Sequence, residues 1–179
     1  MNKFILHTLG YYLCWFTCIF LASKNIAWLG FFLCFFVTAV QFYWQKKIEK
    51  TESLLLFMVI VTFIGLLMDT CFLRGGLIYF NANPFGLKLS PPWMIALWLN
   101  FSIILYVFFK KYFSKFWLCF IVCCCGFPAA YLSGVKLGAA RLMHANFSIL
   151  FITCAWSLVL PATLFFYKKY ILGFEKLAK

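Results

Sequence analysis

Leu54-Leu55-Leu56-Phe57-Met58-Val59-Ile60-Val61-Thr62-Phe63-Ile64-Gly65-Leu66-Leu67-Met68-Asp69-Thr70-Cys71-Phe72-Leu73 contains one charged side chain, Asp69, near its far end. About 20 apolar residues rising ~1.5 Å each make a helix ~30 Å long, the hydrocarbon thickness of a bilayer. A helix on the surface of a soluble domain is apolar along one stripe; this one is apolar all round, and lipid is its expected solvent. The rest of the chain agrees. Its 179 residues are 66% hydrophobic, 23% aromatic and 11% charged, against roughly half apolar and a quarter charged in soluble domains.

Five further runs of similar length surround it: Phe4 to Ala22, Ile26 to Trp44, Pro92 to Phe109, Phe116 to Ala140 and Phe147 to Leu172. The expected fold is an all-α membrane protein, a six-transmembrane-helix bundle, with residues 1–179 forming a single polytopic domain. Lys3 and Ala22-Ser23 give the first run the flanks of a signal peptide, but a signal core has only ~7–15 residues. It is therefore read as the first transmembrane helix.

Sixteen Lys and Arg against four Asp and Glu give a net charge of +12. In a soluble chain this excess would point to nucleic acid. Here the cations form short clusters between apolar runs, a topological pattern, and no nucleic-acid partner is expected. Lys3, Lys46, Lys47, Lys50, Lys110, Lys111, Lys115, Lys168, Lys169, Lys176 and Lys179 fall on one side, and Lys24, Arg74, Lys88, Lys136 and Arg141 on the other. The positive-inside rule then places both termini in the cytoplasm. Connections are short apart from one longer outer loop, Arg74 to Ser90, between helices three and four. In it Leu77-Ile78-Tyr79-Phe80 and Leu87-Lys88-Leu89 flank Asn81-Ala82-Asn83-Pro84-Phe85-Gly86. That pattern reads either as a small β-hairpin or re-entrant turn, or as an irregular lid.

The loop ends in Ser90-Pro91-Pro92-Trp93-Met94-Ile95-Ala96-Leu97-Trp98-Leu99-Asn100. Proline fits the first turn of a helix, and Trp93, like Trp28, fits the water–lipid boundary. Trp98 and Trp156 are expected deeper. Asn100 carries an amide into hydrocarbon, either to bond a neighbouring helix or to meet a ligand.

Of the four acids, Glu49, Glu52 and Glu175 lie among lysines, where solvated ion pairs are expected. Asp69 lies about one turn inside helix three, where an ionisable group costs several kcal/mol unless paired or neutralised. It is read either as an ion pair with helix five or as a carboxylate facing an outward vestibule. The vestibule would be lined by Asp69, Arg74, Trp93, Trp98, Asn100, Lys136 and Arg141. In helix five, Gly126, Ala130, Gly134 and Gly138 recur every fourth residue. This helix-packing stripe of small side chains would admit a neighbouring helix or a partner subunit. Pro128 and Pro161 should bend helices five and six.

No catalytic constellation, cofactor motif or metal site appears. His7 and His144 fall on opposite sides, and Cys123-Cys124-Cys125 point three ways around a helix. Eight of the nine cysteines lie within apolar runs as small packing residues, and Cys71 approaches a loop.

Cys14-Trp15-Phe16, Trp28-Leu29-Gly30, Gly65 with Asp69, Pro91-Pro92-Trp93-Met94 with Ala96-Leu97-Trp98, Gly126 with Pro128 and Tyr131, Leu137-Gly138-Ala139, Trp156 and Pro161 together carry a resemblance. The chain resembles the DUF2878 family of small bacterial inner-membrane proteins of unknown function over nearly its whole length. The resemblance implies a bacterial inner-membrane location, and an association with fatty-acid modification. The leading functional reading is a non-enzymatic protein that binds or moves a lipid or small amphiphile through the vestibule, with membrane lipids as partners. The alternatives are a membrane-embedded enzyme or enzyme subunit acting on lipids, and a scaffold that forms a homo-oligomer or holds a membrane partner.

Overall fold

The computed structural model describes residues 3–48, 53–111 and 115–172. Glu49, Lys50, Glu52, Glu175, Lys176 and Lys179 lie outside them. The elements in order are α1 (Lys3–Ser23), α2 (Ala27–Ile48), α3 (Ser53–Arg74), β1 (Ile78–Phe80), α4 (Pro92–Lys111), α5 (Phe116–Lys136), β2 (Ala140–Leu142) and α6 (Ala145–Phe166), which continues as a π-helical segment over Tyr167–Leu172. Among the described residues, α1, α2, α3, α5 and α6 are long and apolar enough to cross a membrane, and α4 contributes a shorter apolar stretch, Pro92–Phe108. Phe16, Phe20, Phe36, Phe63 and Leu150 are exposed on the outer faces. Lipid tails are as apolar as a core, so these side chains lose nothing by facing outward.

Helices α1, α2 and α4 pack on one another, α3 packs on α4, and α5 and α6 form a close hairpin. At one end of the bundle β1 pairs antiparallel with β2, Ile78 opposite Leu142 and Phe80 opposite Ala140. This revises the expected hairpin within residues 77–89. The Ile78–Phe80 strand forms, but its partner comes from the α5–α6 connection. The Leu87-Lys88-Leu89 side is instead a compact loop in which Asn83 donates to Gly86 O and Leu89 O, at 2.7 and 2.8 Å.

Helix five also ends earlier than its hydropathy implies, at Lys136 rather than Ala140. Gly138 has φ 80°, Ala139 N–H reaches Gly134 O at 2.9 Å and Gly138 N–H reaches Val135 O at 3.0 Å. Those two bonds are a Schellman cap, which needs a residue in the left-handed region and so selects glycine. Gly138 therefore serves a helix stop, and the chain it releases becomes β2. Pro128 and Pro161 both lie inside their helices.

At the opposite end, Tyr167 OH donates to Ser53 O at 2.8 Å and its ring meets Phe57 at 4.8 Å. The α5–α6 hairpin is thus tied to the other helices at both ends of the bundle. Between those ties the contact runs through large side chains.

Candidate functional site

The central tie is built on Asp69, whose relative exposure is 0%. Trp98 Nε1–H donates to its Oδ2 at 2.6 Å, and the Tyr131 hydroxyl donates to its Oδ1. Trp156 Nε1–H in turn donates to the Tyr131 oxygen at 3.0 Å. One carboxylate from α3 therefore organises α4 and α5 directly and α6 through Tyr131. Gly65, one turn earlier on α3, makes the geometry possible. A Cβ there would lie 2.2 Å from Trp98 Cδ2, so glycine is what lets the indole lie across α3 and reach the acid. Phe127 stacks on Trp156 at 4.8 Å between centroids, and Trp98 lies 4.5 Å from Trp156. The aromatic faces seal the carboxylate from its surroundings.

Asp69 meets helix five through the Tyr131 phenol, a neutral donor, where an ion pair was one reading. The cations are elsewhere: Arg74 donates to Lys88 O at 2.7 and 3.1 Å, and Arg74, Lys136 and Arg141 are all exposed. Trp93 differs from the expected boundary anchor. It is 1% exposed, donates to Asn81 O at 3.2 Å and packs edge-on to Phe80. Trp28, at 48% exposure, is the exposed one of the two.

Asn100 belongs to a different cluster. Two residues along a helix is a turn of about 200°, so it points away from Trp98. Its Nδ2 donates to Thr38 Oγ1 at 2.8 Å and Gln41 Oε1 at 2.7 Å. Gln41 donates to His7 O at 3.2 Å, and His7 Nε2 meets Gln45 Oε1 at 3.0 Å. The seven residues assigned to one vestibule thus fall apart: Asp69 and Trp98 in the sealed cluster, Asn100 in this amide cluster, Trp93 buried against Phe80, and Arg74, Lys136 and Arg141 exposed.

An open space does exist beside the Asp69 cluster. Helix α5 stands off from α1 and α4, leaving a groove of about 580 Å³. Tyr11, Trp15 and Ile19 of α1 form one wall, Trp93, Trp98 and Phe101 of α4 the floor, and Gly126, Ala130 and Gly134 of α5 the other wall. The small-residue stripe lines this groove, apart from Gly138 in the helix cap. A Cβ on Gly126 would meet nothing within 4 Å, and one on Gly134 would meet Ile19 Cδ1 at 3.6 Å. The rim residues Tyr12, Phe16 and Gly126 are exposed on the flank of the bundle, so the groove opens sideways, where lipid would lie.

A family model described as "Protein of unknown function (DUF2878)" matches residues 4–162. The chain belongs to this family. Neither the curated proteins nor the solved structures give a match to it. The matched span contains every residue of the Asp69 cluster, of the amide cluster and of the groove. In this DUF2878 member all nine cysteines are free. Among the described residues no group of three His, Cys, Asp or Glu side chains converges as metal ligands do.

The residue that sequence reasoning missed as a site member is Tyr131. A usable signal was present: Asp69 and Tyr131 each stand five residues before the last residue of their helices, Arg74 and Lys136. Equal depth on helices ending at the same side brings a phenol and a carboxylate level.

Proposed function

We propose that this protein is a membrane lipid-binding protein that takes the hydrocarbon chain of one amphiphile into the groove between α1, α4 and α5. The observation that carries this reading is the groove itself, laterally open, aromatic on two sides and kept clear by small residues on the third. Its volume of about 580 Å³ falls within the ~300–1,000 Å³ of ordinary small-molecule sites. Giving each methylene roughly the ~30 Å³ share of a water molecule, that volume takes about twenty carbons, one chain rather than two. The Asp69 cluster beneath the floor keeps Trp98 and Tyr131 rigid and presents neutral aromatic surface to the chain.

Gly126→Phe tests the reading, because Gly126 lines the groove and a Cβ there would meet nothing within 4 Å. The expected result is at least a fivefold drop in single-chain lipid retained by the purified protein in native mass spectrometry, with the melting temperature unchanged. Retention equal to the unsubstituted protein would overturn the groove as a binding site.

A further inference from the structure

Resting on that reading, we propose that the bound chain carries an oxygen near its middle, a ketone or a hydroxyl, held by the Tyr11 hydroxyl and the Trp15 indole of α1. Along α1 the groove is lined by Thr8, Tyr11, Tyr12, Trp15, Phe16 and Ile19, which recur at the three- and four-residue spacing of one helix face. Leu9, Leu13 and Phe20 are exposed further round the helix. Tyr11 and Trp15 stand inside the lining stripe, and Tyr12 and Phe16 form its rim. The hydroxyl and indole groups of the lining then divide in two. Thr8 donates to Phe4 O, Trp93 to Asn81 O, Trp98 and Tyr131 to Asp69, and Ser133 to Ala130 O. Tyr11 and Trp15, with Tyr12 on the rim, have no hydrogen bond among the described residues, and neither the Tyr11 oxygen nor the Trp15 nitrogen is enclosed by protein.

Tyr11 and Trp15 are the ninth and thirteenth of the 21 residues of α1, so each stands about 12 Å from the nearer end of the helix. At that depth hydrocarbon offers no acceptor, and a phenol or indole donor left unpaired there costs free energy. An oxygen brought in by the ligand removes that cost. Its place in the chain follows from the place of the donors along the groove. The Tyr11 ring packs 5.6 Å from Phe101, which lies eight residues beyond Trp93 and seven before Phe108, the two ends of the α4 lining. Apolar lining continues on both sides of this midpoint, to Phe80 and Ala140 in one direction and to Phe108 and Cys119 in the other. An oxygen within a chain has hydrocarbon on either side to match, whereas a head group has it on one side only. A ketone or hydroxyl oxygen also carries two lone pairs, so it can accept from both donors.

The test compares octadecanoic acid with its derivatives carrying a ketone or a hydroxyl on the tenth carbon, and with the isomer whose ketone stands beside the terminal methyl. Each is titrated against a tail-brominated octadecanoic acid bound to the full chain in nanodiscs, and displacement is read as recovery of tryptophan fluorescence. Trp93 and Trp98 in the groove report in every variant. At least one of the two chains oxygenated at the middle should displace the probe at about tenfold lower concentration than octadecanoic acid, and the terminal ketone should match the parent acid. Tyr11→Phe, which keeps the ring against Phe101, should shrink that advantage, and Tyr11→Phe with Trp15→Phe should abolish it while octadecanoic acid binds as before. Preference for the ketone assigns a keto chain and preference for the hydroxyl a hydroxy chain; either supports the proposal. No advantage for either, an equal advantage for the terminal ketone, or an advantage that survives the double variant overturns it while leaving the groove intact, since the parent acid still displaces the probe. The comparison of chains on the unsubstituted protein decides even where the double variant does not fold. Absence of quenching by the brominated probe, with Gly126→Phe also without effect, removes the groove itself.

Discussion

The two polar clusters that flank α4 are built in opposite ways. Around Asp69 a single acceptor serves two aromatic donors, and the ring faces fill the surrounding space, so hydrogen bonding and packing are done by the same side chains. Around Asn100 the work is done by amides and an imidazole, and two wholly buried atoms, Asn100 Oδ1 and His7 Nδ1, find no partner among the described residues. Both clusters use glycine to admit a side chain: Gly65 beneath Trp98, and Gly10, where a Cβ would lie 2.2 Å from Gln41 Nε2. The first joins α3, α4, α5 and α6 into the half of the molecule that carries one groove wall. The second joins α1, α2 and α4 into the other. Both clusters join helices, but only the first closes its hydrogen bonding, so the Asp69 cluster is expected to contribute more to stability than the Asn100 cluster. Helix α4 is shared because Trp98 and Asn100 leave it on opposite sides.

The sharpest way to break that comparison is to remove its strongest member. Asp69→Leu leaves the Trp98 and Tyr131 donors without an acceptor, at about 1–3 kcal/mol each, so a loss of about 2–6 kcal/mol is expected in reversible unfolding in detergent. A loss below that of Asn100→Leu would invert the ranking of the two clusters. Gly65→Ala should come second. Its methyl meets the rigid indole rather than a flexible chain end, and overpacking of this kind costs about 1–3 kcal/mol. Combining it with Trp98→Leu, which clears the space, should recover part of that loss; no recovery would show that the Trp98 contact is not what Gly65 serves. The smallest effect is expected from Asn100→Leu. It deletes two interhelical hydrogen bonds worth about 0.6 kcal/mol each but also deletes the unpaired Oδ1, so the net change should stay near or below about 1 kcal/mol. A loss comparable to that of Asp69→Leu would mean that the amide cluster is as well satisfied as the aromatic one.

Some of this site was legible beforehand. Asp69 stood out because a lone acid inside an apolar run must find partners, and Trp98 was expected deep in the bundle. What could not be read was their meeting with Tyr131, since that depends on α3, α4 and α5 being neighbours at equal depth. Asn100 was grouped with Asp69 on composition alone; helical geometry separates it from Trp98, but the identity of the helix on each side has no local signature. The β1–β2 pairing escaped for the same reason. Ile78–Phe80 carries a strand pattern, whereas Ala140–Leu142 looks like the continuation of an apolar helix until Gly138 is seen to stop it. The small-residue stripe was visible as a stripe, yet small residues serve equally to bring a helix close or to keep a groove clear.

By itself the sequence determined that lipid is the solvent, where the six apolar helices lie to within a few residues, and that one acid lies inside one of them. Those are properties of composition and hydropathy, summed over each segment. Only the tertiary structure decided which helices are neighbours, which polar groups meet, and where a groove stays open. The physical reason is that a bilayer is as apolar as a protein interior, so hydropathy cannot tell a lipid-facing side chain from a packed one. That choice is made by shape and by hydrogen bonds between segments far apart in the chain: a glycine that admits an indole, and a phenol level with a carboxylate.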